Sequence, residues 1–152
     1  MDFITDLLQN QIFVSAALGW LVAQVLKTLI HLIITKQFLM ERMVGGGGMP
    51  SSHSATVCAL ATSTGIKYGG GSFEFAVTMM VAIIVMYDAM GVRRETGRQG
   101  RVLNEMMEVL MNMGKRISAE ERLKEFVGHT PLQVLMGAIL GIIIAVIVMN
   151  IS

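Results

Sequence analysis

Charged residues are scarce in this sequence. Lys, Arg, Asp and Glu make up 15% of its 152 residues, and the formal net charge is +1. A chain so close to neutral does not bind nucleic acid through bulk positive charge, so we expect no nucleic-acid partner. Cysteine is almost absent: Cys58 stands alone in an apolar stretch, which excludes an internal disulfide and makes packing its expected role.

Three further absences narrow the class of protein. The first residues, MDFITDLL, are acidic where a signal peptide is basic, so no cleaved targeting segment is expected. The stretch GGGGMPSSHSA, residues 45–55, lacks the Gly-Lys-Ser/Thr ending of a nucleotide P-loop. The single cysteine and the three scattered histidines show no metal-ligand spacing. We therefore expect neither a metal nor another cofactor.

Apolar residues form 53% of the chain and come in long blocks. The first block, 12–35, is about 36 Å long as a helix, which is enough to cross a bilayer. We expect an all-α integral membrane helical bundle, a single membrane domain over 1–152 with about four transmembrane helices. The predicted spans are approximately 12–35, 49–68, 73–90 and 131–151. The second mixes small residues with Ser and Thr, which favours packing against other helices over contact with lipid.

A polar segment, 91–130, separates the last two predicted spans. Within it, 101–113 carries apolar residues at helical spacing, which predicts an amphipathic helix on the membrane or against the bundle. Ser118 lies three residues before Glu121, a capping-box pattern that predicts a second short helix.

Lysine and arginine cluster in the first loop, which holds Lys36 and Arg42, and in 91–130. The positive-inside rule places both of these loops in the cytoplasm and both termini outside. We therefore expect a multi-pass protein of the cell membrane.

The polar groups that are most costly to place in a membrane converge in this topology. His53 opens the second span, Asp88 closes the third beside Arg93 and Arg94, and His129 precedes the fourth. All five then lie at the cytoplasmic face of the membrane. That agreement between separate chain crossings predicts a functional site there.

The first span carries a polar stripe. Gln24, Lys27 and His31 fall at i, i+3 and i+7, on one face of a helix. A lysine inside an apolar span is costly in lipid and usually faces a polar interior. The alternative is that Lys27 snorkels to the headgroups.

Two polar stretches each have a structural and a functional interpretation. In GGGGMPSSHSA, Ser51 or Ser52 can cap a helix, but glycine N–H groups beside a helix N-terminus also make an anion site. RRETGRQGR, residues 93–101, is either a solvated loop that sets the orientation or a phosphate clamp.

The GAILG stretch, Gly137 to Gly141, offers a close-packing face to another helix. That face can pack inside the bundle or, as the alternative, between the two subunits of a homodimer.

Five stretches together carry a family resemblance. GGMPSSHSA, YDAMGVRRETGRQ, LNEMME and LKEFVGHTPLQVLMGAILG follow the AQVLK of the first span in that order. Nearly the whole chain resembles the divergent branch of the type 2 phosphatidic acid phosphatase and vanadium haloperoxidase superfamily. The resemblance implies a helical fold and a phosphatase that needs no metal.

The resemblance also implies roles for individual residues. Pro50-Ser51-Ser52-His53 is similar to the superfamily's Pro-Ser-Gly-His signature, which makes His53 the candidate general acid. His129 resembles the histidine that attacks phosphorus to form a phosphohistidine. Ser51, Ser52 and nearby backbone amides would bind phosphate oxygens. Imidazole suits both histidine roles because it exchanges its proton near neutral pH.

Basic residues are expected to complete the site. Phosphoryl transfer needs positive charge around the phosphate oxygens, and Lys27, Arg93 and Arg94 can supply it. The superfamily's lysine-to-Arg-Pro signature has no clear match, so Lys27 stands in by its position on the first span.

The most serious departure from the superfamily is Gln133, the fourth residue after His129, where aspartate is expected. An amide oxygen can orient the imidazole but cannot stabilise its positive charge, and a similar change in the serine-protease triad, where it is well documented, is severely damaging. Either Asp88 or Glu125 takes over that role, or turnover is slow, or the protein only binds.

The sequence therefore leads to one functional hypothesis and two competitors. The first is a membrane phosphatase that hydrolyses a lipid-linked or amphiphilic phosphate monoester or pyrophosphate at the cytoplasmic face, with a lipid or polyprenyl phosphate as substrate. The alternative is a non-catalytic phosphate-binding or transport-type membrane protein that retains the phosphatase fold. The third is a structural helix bundle with no ligand.

Overall fold

The long apolar blocks form helices, and helices are the only regular elements in the residues described by this computed structural model. Those residues are 2–36, 48–113 and 128–151, with the side chains of 92–94 left aside. The helices are α1 (Phe3–Gln9), α2 (Gln11–Thr35), α3 (Ser52–Tyr68), α4 (Phe73–Met90), α5 (Val92–Asn112) and α6 (Pro131–Ile151). The all-α prediction is confirmed. The exposed helix α1 was not predicted.

Helix α3 is the centre of the bundle and contacts α2, α4 and α6. Its polar side chains are tolerated there because several hydroxyls bond to the carbonyl one turn back: Thr56 to Ser52 at 2.7 Å, and Ser63 to Ala59 at 2.8 Å. Hydroxyls that are satisfied within the helix's own backbone lower the cost of placing α3 inside the bundle.

Small residues let the neighbouring helices approach the backbone of α3. On α2, a Cβ added to Gly19 would lie 2.9 Å from the Ala55 carbonyl oxygen and 3.1 Å from Ala59 Cβ. On α6, Gly137 and Gly141 face the carbonyls of Ser51 and Ala55, where a Cβ would overlap them. The GAILG face is therefore used inside the bundle, as the close-packing motif of membrane helices often is.

Helix α4 packs on a different side of α3. Val57 and Ala61 of α3 and Ala82 of α4 form a small buried cluster, which Val85 and Met86 partly cover. The outer surface of α4 carries large exposed apolar side chains, as do those of α2 and α6. Apolar surface of this extent suits contact with lipid.

Three helical stretches among the described residues are long and apolar enough to cross a membrane: Gln11–Thr35, Phe73–Asn112 and Pro131–Ile151. Helix α3 is shorter, 17 residues or about 25 Å, and begins at Ser52 because Pro50 and Ser51 precede it as turn and cap. The span predicted from 49 therefore starts three residues later.

Helix α5 begins at Val92, whereas the apolar spacing predicted a helix only from 101. The earlier residues are rich in Arg, Glu and Gln, which form helices without an apolar stripe. In the described residues α5 contacts α4 and no other helix, and the predicted amphipathic segment 101–113 lies in its C-terminal part. The helix predicted from Ser118 lies outside the described residues.

Candidate functional site

The N-terminus of α3 is held against the first turn of α6. Ser51 caps α3, its Oγ accepting from the Ser54 N–H at 3.4 Å, and the Ser51 N–H donates to the Gln133 carbonyl at 3.0 Å. Gly137, one turn further along α6, allows this approach because it has no Cβ to meet Ser51. Two helix N-termini therefore lie side by side, and each favours an anion.

The two predicted catalytic histidines meet at this point. His53 lies in the first turn of α3, and His129 lies two residues before α6 begins. Their ring centroids are 5.8 Å apart with an interplanar angle of 64°. The His129 N–H donates to the Ala89 carbonyl at 3.0 Å, which ties this histidine to the end of α4 as well. His129 is 2% exposed.

Gln133 orients the His129 ring. Its Oε1 lies 3.0 Å from the Thr130 backbone nitrogen and 3.2 Å from His129 Nδ1. Because a backbone N–H can only donate, the amide atom that faces Thr130 must be the oxygen, not the nitrogen. The same oxygen then accepts from His129, so Nδ1 carries a proton. In the neutral ring, the lone pair is therefore on Nε2, as a nucleophile requires.

The two rings lie within the range of direct aromatic contact, about 4.5–7 Å between centroids. No phosphate group fits between rings at that separation. An in-line reaction places the nucleophile and the acid on opposite sides of phosphorus, so the His53 ring must turn away from His129 before such a reaction.

Lys27 reaches the same region from α2. It is 2% exposed, and a Cβ added to Gly48 would lie 2.9 Å from its Cδ, so the loop before α3 covers its stem. The chain can pass this close because Gly48 has no side chain and adopts a φ of +87°. The expectation that Lys27 faces a polar interior fits this position better than snorkelling does.

Lys27 and Gln133 line one cavity of about 400 Å³, between the C-terminal part of α2 and the start of α6. Its volume lies in the range of small-molecule sites. Two threonines and one histidine complete the polar lining: Thr35, Thr130 and His31. Large apolar side chains form the rest: Ile30, Ile34, Met49 and Leu132. A charged group and an apolar chain can therefore occupy it together.

The other predicted residues are placed less completely. Ser51 and Ser52 are buried at the start of α3, and Asp88 is half-buried, one residue before Ala89. Arg93 and Arg94 lie in the first turn of α5, and their side chains are outside the described ones. Glu125 lies outside the described residues.

Three polar residues of the region were not predicted as site residues. Thr130 lines the cavity beside Gln133. Gln24 Oε1 and Ser54 Oγ are buried and have no hydrogen-bond partner among the described residues. For Gln24, the available sequence signal was its helical spacing from Lys27. Among the same residues, no three His, Cys, Asp or Glu side chains lie close enough to hold a metal ion.

The fold and the site define an all-α membrane protein with a histidine pair, the buried His129 and the half-buried His53, where two helices begin, next to a cavity that a lysine lines. The model of the Divergent PAP2 family matches residues 8–144. The chain belongs to that family.

A relative that is also a membrane protein matches nearly the whole chain. The uncharacterized membrane protein YuiD of Bacillus subtilis (strain 168) is 35% identical over 151 residues, which cover 93% of this chain and 96% of that protein. No solved structure matches the chain.

Proposed function

We propose that the protein is a membrane phosphatase that acts on a lipid-linked or amphiphilic phosphate through a phosphohistidine. The observation that carries the proposal is the state of His129: a buried ring whose Nδ1 proton is held by Gln133, which puts the lone pair of the neutral ring on Nε2. Family membership supports the reaction class.

In the proposed first step, the Nε2 lone pair of His129 attacks phosphorus and the bond to the leaving oxygen breaks. That oxygen takes the bond's electron pair and a proton from His53. In the second step, His53 takes a proton from water, the water oxygen attacks phosphorus, and the nitrogen–phosphorus bond breaks. Inorganic phosphate leaves, and both rings return to their starting states.

Positive charge for the transition state comes from three sources in this proposal. Lys27 and the first turn of α6 line the cavity, and the Ser51–Gln133 hydrogen bond holds the N-terminus of α3 against that turn. Arg93 and Arg94 are proposed to add to these, as is hydrogen bonding from Ser51 and Ser52. Ile34 and Leu132 supply an apolar wall for a hydrocarbon chain, and the basic loops favour the cytoplasmic face.

Phosphate release from phosphatidate and from a polyprenyl phosphate, by purified protein in detergent, tests the proposal. His129→Ala and His53→Ala should abolish release, and Lys27→Ala should lower kcat/KM by about 100-fold, as loss of one transition-state donor does elsewhere. Lys67→Ala is the matched control, because this exposed lysine lies at the other end of α3. Release that survives both histidine substitutions contradicts the mechanism.

A second function, non-catalytic phosphate binding or transport, is favoured by two observations. Gln133 is neutral and cannot stabilise an imidazolium ring as aspartate does, and the His53 and His129 rings are in contact. This alternative predicts saturable vanadate binding that depends on Lys27, with no phosphate release from any substrate.

A further inference from the structure

We propose that His31, whose ring Thr35 holds in place, forms a second anion subsite one helical turn from Lys27, so that the ligand of this cavity carries a diphosphate. The inference deepens the proposed function and rests on it for the position of the terminal phosphate. Neither residue belongs to the histidine pair or to the predicted phosphate-binding set.

The first argument is the arrangement of α2 along the cavity. Lys27, His31 and Thr35 follow each other at intervals of four residues, and all three line the cavity. Each interval corresponds to about 6 Å along the helix axis. The cavity therefore has a polar lane that continues past Lys27 towards the end of α2, beside an apolar lane formed by Ile30 and Ile34.

The second argument is the hydrogen bonding of His31. The Thr35 hydroxyl donates to the His31 carbonyl at 2.8 Å, so its oxygen is left to accept from His31 Nδ1, which lies at 3.2 Å. This contact fixes the ring by the same four-residue spacing that holds His129 on Gln133. Nε2 is the nitrogen remaining for a ligand. It donates to an anionic oxygen as imidazolium, or accepts from a P–OH group as neutral imidazole.

The third argument is the order of groups along the cavity. Gln133, which holds His129, and Lys27 mark the end where the terminal phosphate reacts. His31 is one turn nearer the end of α2. A single phosphate at Lys27 leaves His31 unused, whereas the second phosphate of a diphosphate extends along the lane to it. The hydrocarbon chain then leaves beside Ile34, which is 75% exposed.

Binding of non-hydrolysable ligands tests this subsite without requiring turnover. The probes are an alkyl phosphonate and an alkyl methylenediphosphonate of equal chain length, titrated into the full chain in detergent. We expect the diphosphonate to bind more tightly, and His31→Gln to weaken it by about tenfold or more, the loss expected for one charge-assisted hydrogen bond. The same variant should change phosphonate affinity less than about twofold. Lys27→Gln should weaken both ligands.

His31→Arg provides the rescue, because it places hydrogen-bond donors and a positive charge at the same position and should recover the diphosphonate preference. Equal weakening of both ligands by His31→Gln, or no change in either, overturns the proposal. The outcome is separable from that of the phosphatase hypothesis. A His31-dependent preference without phosphate release retains the subsite and rejects the enzyme, whereas release from monophosphates without that preference does the reverse.

Discussion

Gln133 is the residue whose replacement tests the chemistry of the site most directly. Gln133→Met keeps the length of the side chain and removes the oxygen that accepts from Thr130 N–H and from His129 Nδ1. Thr130 is exposed, so its N–H can turn to water at a loss of about 1 kcal/mol. The buried Nδ1–H of His129 loses its partner, which costs about 1–3 kcal/mol. We expect the free energy of unfolding to fall by about 2–4 kcal/mol.

The same substitution should change the tautomer of His129. A hydrogen bond of about 1 kcal/mol favours the Nδ1–H form over Nε2–H by about fivefold, and the variant loses that preference. The chain has three histidines, so ring nitrogen NMR of protein labelled with ¹⁵N-histidine resolves each one. Spectra are recorded at a pH where the imidazoles are neutral, and His31→Gln and His53→Gln assign the signals.

Gln133→Glu is the control, because a carboxylate oxygen accepts the same two bonds and should retain the Nδ1–H tautomer. It also stabilises the imidazolium form of His129, as a neighbouring negative charge does. Finding the His129 proton on Nε2 in the unaltered protein, or an unchanged tautomer ratio in Gln133→Met, refutes the role assigned to Gln133.

Two further predictions concern glycines, and each has a glycine control in the same chain. Gly141→Ala places a Cβ against the Ala55 carbonyl and should lower the free energy of unfolding by about 1–3 kcal/mol, measured by thermal or denaturant unfolding. Gly70 has open space around it, so Gly70→Ala should not lower it. Equal effects of the two substitutions contradict the packing argument. Gly48→Ala and Gly69→Ala both put a side chain on a backbone with positive φ, +87° and +84°, and should each cost about 1–3 kcal/mol. Only Gly48→Ala also displaces Lys27, so only this variant should weaken vanadate binding. Equal vanadate affinity in those two variants would show that the Gly48 loop does not position Lys27.

Most of the fold follows from apolar length alone. The predicted spans 73–90 and 131–151 coincide with α4 and α6, and 12–35 differs from α2 by one residue. These helices expose large apolar side chains over much of their surface, so their composition marks their ends. Helix α3 is surrounded by protein, so its beginning is set by the Ser51 cap and not by hydropathy.

The site could be predicted only in part. Topology placed His53 and His129 at one membrane face, and the structure brings their rings into contact. The spacing of four residues placed Gln133 near His129, but the second bond from Thr130, which fixes the amide and therefore the tautomer, depends on how the chain enters α6. The cavity between α2 and α6 depends on how two distant helices cross, which no local pattern encodes.

The position of Lys27 connects packing to chemistry. Ser15, Gly19 and Ala23 are buried on α2 at intervals of four residues, and Lys27 is the next member of that series. The first three are small, so α2 lies close to α3, and Gly19 comes within contact of the Ala55 backbone. A lysine that continues such a face is carried to the N-terminal end of α3, under the loop that contains Gly48. Because close packing of α2 on α3 holds Lys27 in this position, a change that separates the two helices must also withdraw its positive charge from the proposed phosphate site.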